Sequence, residues 1–162
     1  MQQSIRFDKH KILNFFKLMV LFFVVVSCDR SVVYDDEKRI DEQGWNVSDS
    51  LVFNYEAEDT VNTYLCCFDI RNCDDYPYSN IYFNIKTIYP DGKVAVDTNL
   101  QFVLAEKDGR WLGRKSGSYI DGRYPFCYFK FPQQGAYQFV VTHAMRDDVL
   151  VGVKNVSFVI MH

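Results

Sequence analysis

The sequence predicts an all-β protein, namely a single antiparallel β-sandwich of about seven to eight strands that follows a signal peptide and a short tether. Three observations support this fold class. From Leu51 onward, apolar side chains alternate with polar ones along short segments, which is the period of a half-buried strand. Turn sequences that contain glycine separate these segments. No stretch has a convincing helical period, and a parallel α/β sheet is excluded because it needs crossover helices.

The strands are predicted in order from the alternation of their side chains. Leu51, Phe53 and Tyr55 share one face of the first strand, because side chains two residues apart point to the same side. Pro90-Asp91-Gly92 predicts a turn between two later strands. Residues 105–118 have room for a short turn of helix. The predicted strands cover residues 51–56, 64–70, 81–86, 94–104, 124–131, 136–145 and 153–161.

The first 28 residues have the pattern of an export signal. Basic residues precede an apolar run at residues 18–26, which is about half as long as a membrane-spanning helix needs to be. The run ends in Val25-Val26-Ser27-Cys28, which resembles a bacterial lipobox, whose cysteine thiol receives a diacylglycerol. An ordinary secretory signal with a chance cysteine is the alternative. We expect residues 1–27 to be the signal peptide, Cys28 the lipid attachment site, residues 28–50 a lipid-anchored tether and residues 51–162 the sandwich domain.

Charge limits the partners of the exported part. Residues 28–50 are mostly polar and charged, which favours a tether, although Gly44-Trp45 could already pack against the domain. The formal net charge of the whole chain is −3, and the predicted signal peptide holds more basic than acidic residues, so the remainder is more acidic. An acidic domain has no electrostatic surface for nucleic acid, and we expect no nucleic-acid partner.

Four cysteines follow Cys28. Neighbouring residues of a strand point to opposite faces, so at most one of Cys66 and Cys67 is expected in the core near Cys127. Either the thiols remain buried and reduced, or one disulfide forms, with Cys73–Cys127 and Cys67–Cys127 both open. No pair of cysteines has the spacing of zinc ligands, so we expect no metal and no cofactor.

The residues that could support catalysis are few. His143 lies on an apolar strand face with Tyr137 and Phe139, which is typical of a hydrogen-bonded core histidine rather than a catalytic base. No nucleophile elbow, phosphate loop or pair of histidines at metal-binding spacing is present in the sequence. We therefore expect neither an enzyme nor a binder of a small-molecule substrate.

Aromatic residues make up 17% of the chain, and we expect phenylalanine and most tyrosines to fill the core. Tyr76 and Tyr78 lie in a predicted loop and remain open between packing and recognition. Arg110, Trp111 and Arg114 form the one concentrated basic patch that contains an aromatic ring. In an acidic protein this patch is the best candidate for a docking surface.

Five short motifs carry a resemblance to a known family. In order they are Arg71-Asn72, Asp75-Tyr76-Pro77-Tyr78-Ser79-Asn80, Pro90-Asp91-Gly92-Lys93, Trp111-Leu112-Gly113 and His143-Ala144-Met145-Arg146. By these motifs the chain resembles the gliding motility lipoprotein GldH family of the Bacteroidetes along residues 32–160. The resemblance implies a non-enzymatic envelope lipoprotein, held in the outer membrane or, less favoured, the inner membrane. It further implies contacts with envelope proteins of the gliding motility and type IX secretion machinery.

Within these motifs we expect a polar corner. Arg71 should pair with Asp74 or Asp75, and Asn80 should close the turn before the next strand. A partner-binding role for the same loop is the alternative. For the whole protein, the alternative function is a lipidated glycan-binding sandwich, which requires a planar row of exposed aromatic rings on one sheet face.

Overall fold

The alternating segments form antiparallel strands in the structure, a computed structural model that describes residues 32–162. One sheet has the order β1-β11-β4-β8-β7, the second has the order β3-β9-β5-β6, and β10 pairs with β2. The predicted all-β sandwich is confirmed, and the described chain contains no helix that could span a membrane. The strands are β1 Val32–Arg39, β2 Trp45–Asn46, β3 Leu51–Ala57, β4 Tyr64–Cys73, β5 Asn80–Ile88, β6 Val94–Val103, β7 Arg114–Ser116, β8 Tyr119–Phe129, β9 Gly135–His143, β10 Val149–Leu150 and β11 Val153–Met161.

The strand count exceeds the predicted seven to eight because β2, β7 and β10 are short and β1 lies in the expected tether. The tether expected over residues 28–50 is wrong from Val32 onward, since β1 pairs with β11 and Trp45 is 1% exposed. The physical reason is that β1 is an edge strand. Tyr34 packs against the core, while most of its neighbours face solvent, so the composition resembles a linker. The predicted signal peptide and Cys28 lie outside the described residues.

The space between the two sheets is filled mainly by aromatic rings. Phe158 of β11 lies at the centre, with its ring 4.5 Å from that of Phe139 and 5.8 Å from that of Phe53, both in the opposite sheet. Phe68 and Phe83 meet across the sheets at 5.2 Å. Edge-on and tilted ring pairs of this kind are favourable beyond the area that they bury. The expected use of phenylalanine as core filling is confirmed.

The cysteines occupy three places. Cys66 lies in the core opposite Cys127, whereas Cys67 faces the other side of the sheet beside Met161. Cys73 is at the far end of β4, seven residues from Cys66, which is about 23 Å along a strand. The two disulfides left open by the sequence, Cys73–Cys127 and Cys67–Cys127, are therefore both wrong. Cys73 is too far from Cys127, and the side chain of Cys67 points to the opposite side of the sheet.

Antiparallel strands bring the loops to two ends of the sandwich. The motif end consists of residues 40–50, 74–79, 104–113, 117–118 and 144–152, and the N-terminal end consists of residues 58–63, 89–93 and 130–134. Val32, where β1 begins, is opposed to Met161 and so belongs to the N-terminal end. Of the five sequence motifs, only the turn Pro90-Asp91-Gly92-Lys93 lies at the N-terminal end. The other four meet at the motif end.

Candidate functional site

The loop at residues 74–79 joins β4 to β5, and its two tyrosines are held in different ways. Tyr76 is buried, and its hydroxyl donates to the backbone carbonyl oxygen of Asn80 at 3.2 Å, which closes the turn. Tyr78 is half-buried, and its hydroxyl donates to Oδ2 of Asp147 at 2.6 Å. Burial raises the pKa of Tyr76, and the bond to Asp147 raises the pKa of Tyr78. Tyr76 is therefore part of the core, whereas Tyr78 ties two loops together.

Arg71 does not pair within the loop. We expected it to pair with Asp74 or Asp75, and this is wrong. Its Nε and Nη2 groups donate to the two carboxylate oxygens of Asp121 at 2.5 and 3.1 Å. The strand register explains the difference, because Arg71 on β4 and Asp121 on β8 are directly opposed. Asp75 is exposed, and it makes no ion pair with another residue of the described range 32–162.

Asp74 holds the Trp111 side chain. The indole Nε1–H donates to Oδ1 of Asp74 at 3.1 Å, and Nζ of Lys115 pairs with the other carboxylate oxygen. Lys115 holds the pKa of Asp74 below its usual value, because the cation favours the charged carboxylate. A β-bridge between Ala105 and Trp111 fixes the same loop through its backbone. Trp111 is therefore held at the surface in one position.

The basic patch expected at Arg110, Trp111 and Arg114 is divided. Arg110 pairs with Glu106 at 3.6 Å within the loop. Arg114 begins β7, opposite Asp121, and lines a groove of about 770 Å³ on the outer face of the five-stranded sheet. Trp111 stays at the motif end. The three side chains do not form one continuous basic surface.

Replacing Asp74 with alanine is expected to release the indole of Trp111 without unfolding the domain. The chain has two tryptophans, and Trp45 is buried in the core, so a change of emission reports on Trp111. We expect the fluorescence to shift to longer wavelength and iodide quenching to increase. Asp75→Ala is the matched control. An unchanged spectrum in Asp74→Ala would contradict the contact.

His143 ends β9 and lies in the core, as predicted. It is 1% exposed, and its ring packs edge-on against Trp45 with the centroids 5.4 Å apart. Neither ring nitrogen makes a hydrogen bond of good geometry within the described part of the chain, although the backbone of Trp45 lies close enough to the ring to favour its protonated form in part. Burial lowers the pKa of His143, because the imidazolium is poorly solvated there. The lowered pKa favours the neutral ring.

The domain is expected to lose stability as the pH falls below about 6.5, the ordinary histidine pKa. Above that pH His143 is neutral in both the folded and the unfolded chain. Below it, the unfolded chain takes up a proton that the folded chain, with its lowered pKa, does not, and this favours unfolding. Urea unfolding from about pH 7.5 to about pH 5 should show a smaller decline of stability in His143→Phe than in the wild type. An equal decline in both proteins would assign the effect to other groups.

A cleft of about 630 Å³ opens on the outer face of the four-stranded sheet at the motif end. Asn99 contributes to its wall in a left-handed backbone conformation, with φ of 55°, where the pairing of β5 and β6 is irregular. The backbone N–H of Asn99 donates to Oδ1 of Asn84 at 3.0 Å. The guanidinium of Arg146 is exposed and has no acidic partner among the described residues. The cleft is lined by Tyr78, Asn80, Tyr82, Asn99, Ala144, Met145, Arg146 and Asp147.

The sequence identified part of this cleft. Tyr78, Asn80 and Arg146 were candidates from the motifs, whereas Tyr82 and Asn99 were missed. Tyr82 alternates with core residues like any solvent-facing residue of a strand, so nothing in the pattern marks it. Asn99 had a weak signal, since asparagine tolerates positive φ better than most residues and lies here within a predicted strand.

Four of the five motifs come from distant parts of the chain and share one end of the sandwich. The GldH lipoprotein family model matches residues 32–160, which is nearly the whole described domain. The chain belongs to the GldH lipoprotein family. Members of this family are lipoproteins of the cell envelope and are implicated in gliding motility. The resemblance inferred from the motifs is confirmed.

Two relatives carry the family name. A gliding motility lipoprotein GldH homolog of Christiangramia forsetii is 34% identical over 137 residues, which cover 81% of this chain and 82% of the relative. The gliding motility lipoprotein GldH of Flavobacterium johnsoniae is 24% identical over 150 residues, which cover 87% of this chain and 91% of the relative. Neither name is that of an enzyme.

Similarity to solved structures is more distant. A family GH115 4-O-methyl-α-glucuronidase has a TM-score of 0.41 and 13% sequence identity, over 84% of this chain and 18% of that chain. A likeness at this level carries no argument about function. The GldH family assignment therefore rests on sequence.

Proposed function

We propose that the protein is a membrane-anchored, non-enzymatic component of, or accessory to, the gliding motility and type IX secretion machinery, and that it acts by contact with another envelope protein. The observation that carries the proposal is the convergence of four family motifs at the motif end. Core packing accounts for Tyr76 and His143, which are buried. It does not account for the exposed Arg146 or for the polar cleft beside it. A shared exposed surface is what recognition of a partner requires.

The position of the proposed lipid also supports the motif end as the surface that contacts a partner. Because β1 begins at Val32, only residues 28–31 lie between the proposed lipid on Cys28 and the sandwich, a reach of about 14 Å at most. β11 has nine residues, and at about 3.3 Å per residue the motif end lies roughly 30 Å from the N-terminal end. An anchored domain therefore keeps its N-terminal end beside the membrane and presents the cleft away from it. Cys28→Ala tests the anchor, since the unlipidated protein would leave the membrane fraction.

The cleft offers hydrogen bonds and one cation to a partner, and its one carboxylate, that of Asp147, already accepts a hydrogen bond from the hydroxyl of Tyr78. Asn80 and Asn99 each have an amide that can donate and accept, and Tyr82 adds a ring and a hydroxyl. Arg146 supplies a guanidinium that suits a carboxylate. Arginine and tyrosine are also enriched among the residues that contribute most to binding in protein interfaces. A partner segment with an acidic side chain and exposed backbone polar groups is complementary to this set.

The proposal is tested by replacing Arg146 with alanine in the native host. We expect crosslinking to the partner in intact membranes to fall by about tenfold, the effect of one interfacial contact of about 1.4 kcal/mol, and gliding to be impaired. The amount of protein and its membrane fraction should not change. Lys130→Ala is the matched control, because Lys130 is an exposed cation at the N-terminal end. Unchanged crosslinking and motility in Arg146→Ala would show that the cleft is not the contact surface.

The alternative function, a lipidated glycan-binding module, has less support. Among the described residues, the aromatic side chains with the largest exposure are Tyr119 and Tyr128, at 40% and 71%. They lie near opposite ends of β8 and do not form a planar row. Retention of the purified domain on an insoluble polysaccharide would favour this alternative.

A further inference from the structure

Two of the cysteines meet across the five-stranded sheet. Cys66 on β4 and Cys127 on β8 are directly opposed in the antiparallel register. Opposed residues in such a pair have Cα atoms about 4.5–5.5 Å apart, which lies inside the range of about 4.4–6.8 Å that a disulfide requires. Both side chains pack in the aromatic core, where the Cys66 thiol donates a hydrogen bond to the Cys127 sulfur.

An irregularity in the strand pairing creates this juxtaposition. Cys66 is opposed to Cys127, but the next residue, Cys67, is opposed to Pro125, so Phe126 is an extra residue on β8. The ring of Phe126 stacks on Phe68 in the core with the centroids 5.0 Å apart. Packing of the extra residue therefore holds the register that brings the two cysteines together.

The two sulfur atoms differ in access. Cys66 is 1% exposed, whereas Cys127 is only half-buried. β7 covers β8 only along residues 119–121, and from residue 122 onward no strand of the described chain covers that edge of β8. A reagent can therefore reach Cys127, while Cys66 is shielded behind it. The hydrogen bond from Cys66 also lowers the pKa of the Cys127 thiol, which favours the reactive thiolate.

We propose that Cys66 and Cys127 form an intramolecular disulfide after export, with an envelope thiol–disulfide oxidoreductase as the oxidant. The cell envelope, where this family of lipoproteins works, is a compartment in which disulfides form and persist. The Cys127 thiolate attacks the disulfide of the oxidoreductase, which breaks that bond and forms a mixed disulfide. Cys66 loses its proton and attacks the Cys127 sulfur, which releases the second thiolate of the oxidoreductase. The two electrons and two protons from the cysteines end on the reduced oxidoreductase.

The disulfide would tie together two positions roughly sixty residues apart in the chain and thereby restrict the unfolded state. For a domain of this size, we expect reduction to lower the melting temperature by on the order of 10 °C. The bond would also lock β4 to the open edge of β8.

The test maps the thiols of the protein as the cell makes it. Full-length protein is isolated from envelopes of the native host after free thiols have been blocked with N-ethylmaleimide, and unreduced peptides are analysed by mass spectrometry. We expect the peptides that contain Cys66 and Cys127 to be linked, with Cys67 and Cys73 alkylated. Alkylation of Cys66 and Cys127, or a bond from either one to another cysteine, would overturn the proposal.

Serine variants give a second readout. Cys73→Ser and Cys67→Ser should keep the linked peptide and the fall in melting temperature on reduction, because neither residue belongs to the pair. The double variant Cys66→Ser/Cys127→Ser should lose both. A reductant-sensitive melting temperature in that double variant would also overturn the proposal. If the double variant does not fold, the peptide map of the wild-type protein decides.

Discussion

Replacing Phe158 with alanine is expected to lower the free energy of unfolding by about 4 kcal/mol. The side chain is fully buried, and its ring contacts rings of both sheets, among them Phe68 at 5.4 Å and Phe139 at 4.5 Å between centroids. Alanine removes these contacts and leaves a cavity. The surrounding rings cannot close the cavity, because they are attached to two different sheets in a close-packed core. Urea unfolding followed by circular dichroism measures the loss.

Two further variants calibrate this prediction. Tyr128→Ala is the control, since Tyr128 is 71% exposed and its removal should change stability by no more than about 0.5 kcal/mol. Phe158→Leu keeps an apolar side chain in the core and should lower the free energy of unfolding by about 1.5 kcal/mol. A loss below about 1 kcal/mol in Phe158→Ala would mean that the two sheets do not depend on this ring.

The sequence predicts the strands whose two faces have different surroundings. β5 and β9 bury every second side chain, β3 follows the same alternation less completely, and this local pattern is visible without any knowledge of the partner strands. β1 lacks the signal, because it is an edge strand and its charged side chains remain in solvent. Its place depends on pairing with β11, which lies more than a hundred residues later, and no local pattern reports that pairing.

The candidate site was predicted as a set of residues but not as a set of contacts. Arg71 was identified, yet its partner Asp121 follows from the register of β4 and β8. The same register, with one extra residue at Phe126, decides which cysteine meets Cys127. A shift of one residue exchanges the faces of a strand, so an unseen irregularity changes every contact beyond it. Motifs thus indicate where function lies, whereas the contacts that build it depend on long-range pairing.

Removal of residues 1–50, the part that the sequence assigns to signal and tether, is expected to abolish folding. β1 pairs with β11 along Val32–Arg39 and forms one edge of the five-stranded sheet. Trp45 packs against Phe83 and His143 with centroids 5.5 and 5.4 Å away, and its loss alone costs about 3–5 kcal/mol. A natural domain is stable by only about 5–15 kcal/mol in total. Loss of Trp45 together with β1 therefore removes most of the free energy of unfolding.

The measurement compares two purified chains, one that begins at Ser31 and one that begins at Leu51. We expect a cooperative urea transition and strong near-ultraviolet circular dichroism in the first, and neither in the second. Trp45→Ala in the longer chain separates the contribution of the indole from that of β1, and it should fold with reduced stability. Cooperative unfolding of the chain from Leu51 would contradict the assignment of β1 to the domain. The proposed lipid at Cys28 would then be followed by about twenty residues of tether, and a tether of that length would not set the distance of the motif end from the membrane.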